Sequence, residues 1–104
     1  MGEFEQMVLL ALLRLGDEAY GVRIRKLLEL TTGRPISLGS IYKTLQRLES
    51  KGYVTNRVGE PTAVRGGRRK KYYQIEPGGL AVLNQSLSAL RKLLHGLNSE
   101  VEWI

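Results

Sequence analysis

Leu38, Ile41, Leu45 and Leu48 follow one another at spacings of 3, 4 and 3. That spacing lines four apolar side chains along one face of an α-helix, about 100° apart per residue. Ser37 supplies an N-cap. Lys51-Gly52 supplies a cation at the negative end and a glycine for the closing turn. The spacing therefore predicts a helix over 37–51. Its opposite face carries Ser40, Lys43 and Arg47, with Gly39, Gln46 and Ser50 flanking. Such a helix must lay its apolar stripe on supporting elements and offer hydrogen-bonding groups to something outside the chain.

Two upstream segments can provide the support. Phe4, Met7, Val8, Ala11, Leu12 and Leu15 recur at helical spacing, and Leu10 and Leu13 widen that face. A first helix over 3–15, covered on two sides, is expected, with Gly16-Asp17-Glu18 breaking it. A second is expected over 20–31, burying Val22, Ile24, Leu27, Leu28 and Leu30. Thr32-Gly33-Arg34-Pro35 ends it, because proline cannot continue a helix. Downstream, Val54 and Val58 share one face of a predicted strand. Tyr73 and Ile75 share one face of a second, with Tyr72 on the other. The intervening loop, Gly59 to Gly67, is too long for a two-residue hairpin.

The last segment is the most regular. Leu80, Leu83, Leu87, Leu90, Leu94, Leu97, Val101 and Ile104 alternate spacings of 3 and 4. This heptad seam predicts helix-on-helix association and a homodimer. The chain of 104 residues divides into a unit over 1–76 and a dimerisation helix over 77–104 within one compact body. The fold class is mainly α with a small β-hairpin: a winged helix-turn-helix with a C-terminal dimerisation helix.

Charge narrows the partner. Between Arg34 and Lys71 there are ten Lys/Arg against Glu49 and Glu60, a net of +8 within a total of +6. A basic block on an otherwise mildly acidic chain points to a polyanion. A hydrophobic fraction of 42% is too high for a disordered chain. No cysteine is present, which excludes disulfides and thiolate metal sites and fits a reducing cytoplasm. No apolar run reaches about 18 residues. Glu3 and Glu5 precede the Met7–Leu13 run where a secretion signal would carry positive charge. A cytoplasmic protein with no membrane association is expected.

The order helix, helix, helix, strand, loop, strand, helix places a turn and a polar-faced helix where a helix-turn-helix has them. The major groove of B-DNA, about 12 Å wide, admits one such helix. Small residues at its start, Ser37, Gly39 and Ser40, allow close approach to phosphates. Tyr42 lies at the edge of the stripe, where a DNA contact and packing are equally open. Lys43 and Arg47 face outward. Arg65, Arg68, Arg69, Lys70 and Lys71 cluster around a Gly-Gly pair, as a cationic wing lying along a minor groove requires. Tyr72 is assigned to the surface near DNA. His95 is a helix-surface residue, Trp103 a packed or frayed terminus, and Arg23, Arg25 and Lys26 reach phosphates or stay solvated.

These segments resemble the PadR-like winged-helix regulators of the short subfamily. The resemblance rests on Asp17 to Val22, Ile36 to Glu49, Gly52-Tyr53-Val54 and Gly67 to Ile75, and spans about residues 7–95. It implies a homodimer that binds double-stranded DNA through the 37–51 helix and the wing, usually as a repressor. Some relatives sense small aromatic or drug-like ligands, so a small-molecule effector is a further expected partner. Two features depart from the pattern: Pro61 within a long wing insert, and Glu76-Pro77 where a threonine often caps the last helix.

Other classes fit less well. One histidine and no cysteine leave no nucleophile–base set, so no enzyme, cofactor or metal is expected. The Gly-Gly pair lacks the spacing of a phosphate-binding loop. The alternative is a winged helix used as a protein–protein or RNA-associated module without operator binding.

Overall fold

The computed structural model describes residues 1–60, 69–97 and 99–102. Helix α1 spans Glu3–Leu15 and begins where the Gly2 N–H donates to the Glu5 carboxylate at 3.2 Å. It buries Val8, Leu9, Ala11 and Leu12. Gly16, at φ 57°, ends it and opens a 3-10 turn over Gly16–Glu18. Helix α2 spans Gly21–Thr32 and stops at Gly33, whose φ of 70° suits a residue without a side chain. The Ile36 N–H then donates to the Glu29 carboxylate at 2.9 Å, which fixes the turn into the next helix. Helix α3 spans Leu38–Ser50.

Strands β1, Val54–Val58, and β2, Lys71–Ile75, pair antiparallel with Val54 opposite Ile75 and Val58 opposite Lys71. The Gly59 N–H donates to the Lys70 carbonyl at 2.8 Å and carries the ladder one step further. On its other edge β2 meets the α1–α2 connection, where the Tyr73 N–H donates to the Ala19 carbonyl at 2.8 Å and Tyr20 bridges Tyr72. Helix α4, Pro77–Leu94, starts with proline in its first turn, where no amide partner is lost.

One core joins these elements. Val8, Leu9, Ile24, Ile41, Leu45, Leu48, Val54 and Leu83 are all buried. Among the described residues the architecture is the expected one, four helices with a two-stranded hairpin. Two particulars differ from the sequence reading. In α2, Val22 and Leu30 are exposed, Leu30 at 85%; only Ile24 and Leu28 point fully inward, because α1 and α3 cover a single side of this helix. The last helix ends at Leu94, capped by His95 and followed by Gly96 at φ 83°. Leu97 and Val101 therefore lie beyond the helix, and the heptad pattern outruns the helical backbone.

The radius of gyration is 15.5 Å, against about 13 Å for a compact domain of this length. Of helix α4 only Gly79 and Leu83 are buried, both in its first half.

Candidate nucleic-acid interface

The face of α3 that points away from the core is built at its first turn. Ser37 caps the helix, its hydroxyl accepting from the Ser40 N–H at 3.0 Å while the two hydroxyls lie 2.7 Å apart. The cap takes the Ser40 amide and the Ser37 carbonyl takes that of Ile41, which leaves the Leu38 and Gly39 amides without a partner inside the helix. Leu38 is half-buried, and Ile41, Thr44, Leu45 and Leu48 anchor the opposite face. What remains outward is Ser37, Gly39, Ser40, Tyr42, Lys43, Gln46 and Arg47, all exposed. The Arg47 guanidinium donates to the Thr44 hydroxyl at 3.3 Å, so its planar head starts close to the helix surface. The Lys51 ammonium lies 3.5 Å from the Glu5 carboxylate and pins the end of α3 to the start of α1.

Tyr42 has both readings that the sequence left open. It is 40% exposed, yet its phenol packs so closely over buried Gly21 that a Cβ there would overlap it. It therefore belongs to the seam between α2 and α3 and to the outer face.

The hairpin supplies the second wall. Arg69 and Lys71 are exposed, and Lys70 is half-buried. A groove of about 550 Å³ between α3 and the hairpin is lined by Tyr20, Tyr42, Gln46, Glu49, Lys70 and Tyr73, with others at its rim. The structure thus brings Tyr42 of α3 and Arg69 and Lys70 of the wing to one groove. Arg65 and Arg68 lie outside the described residues. Tyr72 departs from its assignment as a surface residue: it is half-buried, edge-on to Tyr20 with centroids 5.6 Å apart.

Electrostatics favour an anion. Among the described residues the ion pairs are Arg25–Glu29 and Lys51–Glu5, so neither Lys43, Arg47, Arg57, Arg69, Lys70 nor Lys71 has a carboxylate within 4.0 Å. Glu49, the one acidic group among the described residues that line the groove, is engaged by the Asn56 amide. Burial, and then the nearby Glu49 carboxylate, push the Tyr73 phenol up from its ordinary value, so it stays neutral. No cluster of metal-ligating side chains occurs among the described residues. None of their helices is long and apolar enough to cross a membrane.

The proposed dimer seam divides. Leu83 is taken up by the protomer's own core and Leu87 packs against it. Leu80 and Leu90 are exposed, Leu90 at 42%, and Leu94 is half-buried. Leu93, which the heptad reading passed over, is the most exposed leucine of α4 at 75%. Sequence reasoning also missed Tyr20 and Arg57 as neighbours of the wing. The strand register, which sets Arg57 opposite Tyr72, was the signal for one of them.

Solved structures with this arrangement include transcriptional regulators. The chain resembles a transcriptional regulator from Clostridium thermocellum (29% identity, TM-score 0.71, 95% of this chain and 91% of that one). It also resembles a PadR family transcriptional regulator from Eggerthella lenta (28%, 0.69, 98% and 88%). A PadR-like transcriptional regulator from Bacillus cereus shares the fold at 22% identity (TM-score 0.74, 97% and 93%). No curated protein matches the sequence. The family model described as the transcriptional regulator PadR-like family matches residues 9–85. With α3, the hairpin and most of the core inside that match, the chain belongs to the PadR-like family of transcriptional regulators.

Proposed function

We propose that this protein is a homodimeric, sequence-specific DNA-binding repressor working in the cytoplasm. One observation carries the reading: the outer face of α3 and the adjoining hairpin arm present Lys43, Arg47, Arg69, Lys70 and Lys71 without carboxylate partners among the described residues. Cations left unneutralised on one side of a small domain suit a phosphate backbone. Ser40, Lys43 and Arg47 read base edges from the major groove, and the wing holds backbone and minor groove. Residues 1–76 carry these contacts and residues from 77 onward pair the subunits. Support for pairing comes from the far half of α4, where Leu90 and Leu93 have no core beneath them, and from Leu10 and Leu13 exposed on α1.

Repression is tested on the DNA upstream of the protein's own coding region. Binding is titrated against that duplex and a scrambled one of the same length, with a reporter fused to the upstream DNA. Tighter binding to the native duplex, with reporter output falling as protein rises, is expected. Equal affinity for both duplexes leaves the protein–protein or RNA-associated module as the better reading.

A further inference from the structure

The groove between α3 and the hairpin has an aromatic wall. Tyr20 stands between the 3-10 turn and α2, and its ring has three neighbours. Tyr72 meets it edge-on at 78°. The Lys70 ammonium lies 4.4 Å from its centroid, and the Arg23 guanidinium 5.9 Å. Arg57 in turn covers the Tyr72 ring at 4.6 Å. Backbone bonds hold the wall in place, with Ala19 accepting from Tyr73 and Tyr20 bridging Tyr72. One residue on, Gly21 admits the Tyr42 phenol of α3. Tyr20 is thus fixed to the hairpin on one side and, through Gly21, to the recognition helix on the other.

Lys70 gains most from this. It opens the returning arm of the hairpin, and no carboxylate among the described residues lies within ion-pair distance of it. A free lysine samples many rotamers, and ordering it on binding costs affinity. The negative face of an aromatic ring attracts an ammonium. An ammonium already seated over a ring loses less freedom when a phosphate arrives, and its remaining N–H donors stay open to the groove.

We propose that Tyr20 is a positioning residue for DNA binding, its ring holding Lys70 over the groove beside Tyr42 and Gln46 so that a backbone phosphate meets a preplaced cation. This rests on the DNA-binding reading above and adds to it a residue outside the charged set.

The test is a binding titration over several salt concentrations with the full chain, on native and scrambled duplexes, for Tyr20→Leu, Tyr20→Phe, Lys70→Gln and the Tyr20→Leu/Lys70→Gln pair. Tyr20→Leu is expected to weaken both duplexes alike, about two- to five-fold, as loss of one exposed cation–π contact would. The log–log salt slope should become shallower by about one, the mark of one lost phosphate contact. Lys70→Gln should match it, the double variant should add nothing further, and Tyr20→Phe should bind as the parent does. A variant that is merely less stable loses active protein without changing its salt slope. Independently of any variant's folding, the Lys70 ε-methylene protons of the parent should resonate upfield from the ring current. Losses that multiply in the double variant, an unchanged slope in Tyr20→Leu, or unshifted Lys70 protons would overturn the proposal. If Lys43→Ala loses operator binding while Lys70→Gln and Tyr20→Leu match the parent, only this platform falls. If the parent binds no duplex, the DNA reading falls and the platform with it.

Discussion

The Ser37 hydroxyl accepts the Ser40 amide at 3.0 Å, and the Ser40 hydroxyl sits 2.7 Å from it in return. The first turn of α3 is therefore tied to itself before anything binds. Ser37→Ala removes the cap and should cost about 1 kcal/mol of stability in urea unfolding, whereas Ser37→Gly should cost only a few tenths. Affinity for DNA should fall in the Ala variant more than its stability loss explains, because the amides facing the groove lose their alignment. Equal stability of parent and Ser37→Ala would show that the turn is held by other contacts.

Neighbouring glycines at the start of α4 should respond in opposite directions. A Cβ on Gly79 would overlap the Tyr53 carbonyl, and that is backbone held by its own hydrogen bonds. Gly79→Ala should destabilise by about 1–3 kcal/mol or more. A Cβ on Gly78 meets nothing within 4 Å, and Gly78→Ala should stabilise by about 0.4–1 kcal/mol through the unfolded chain. Thermal melts of the two single variants settle the sign.

The stability of the α1–α3 contact should depend on pH. Burial raises the Glu5 carboxyl, but the Gly2 amide and the Lys51 ammonium outweigh it, and the net shift is downward. A pKa lower in the folded than in the unfolded chain gives stability that is full above the ordinary carboxylate range and lost as pH falls through the lowered value. Lys51→Met should cost up to about 1 kcal/mol near neutral pH, and parent and variant should converge in acid. A gap that stays constant with pH would assign the effect to packing of the lysine stem.

The far half of α4 should carry subunit pairing. Leu90→Lys and Leu93→Lys place charge where no protomer core lies beneath and should yield folded monomer by sedimentation. Leu83→Lys should unfold the chain instead, since Leu83 is buried within the protomer. Folded dimers from both outer variants would move the interface elsewhere.

Helix and wing should separate in function. Lys43→Ala and Arg47→Ala should reduce discrimination between native and scrambled duplex. Arg69→Ala should weaken both equally and flatten the salt slope by about one unit. The parent slope itself should fall on the order of −4 to −9 for several phosphates contacted by each subunit. Wing variants that lose discrimination while helix variants lose only general affinity would reverse the assignment.

What could be read beforehand follows from where the information lies. Ile41, Leu45 and Leu48 mark α3 because burial along a line leaves a periodic trace in sequence. Val22 and Leu30 carry the same trace and are exposed, since a hydrophobic side chain does not record which neighbour covers it. The leucine repeat of α4 misled about length for a similar reason. Its period continues through Leu97, while the backbone leaves the helix at His95, whose ψ is 126°, and turns at Gly96, whose φ is 83°. Lys43 and Arg47 were legible as outward charges. The Tyr20–Tyr72–Lys70 contact was not, because it joins segments some fifty residues apart whose meeting depends on the bridge between Tyr20 and Tyr72.

Tyr53 has a consequence for how such a regulator would change its target. Its N–H donates to Leu48 at the end of α3, and its carbonyl accepts from Glu76 at the threshold of α4, at 2.9 and 2.8 Å. A single residue thus serves as the axle on which both helices are mounted. If this chain pairs through α4 as proposed, a change in the angle at which the two last helices cross would swing each α3 with it. Retuning the distance between operator half-sites would then call for substitutions within residues 77–94, while retuning the letters read at each half-site would call for substitutions within residues 38–50.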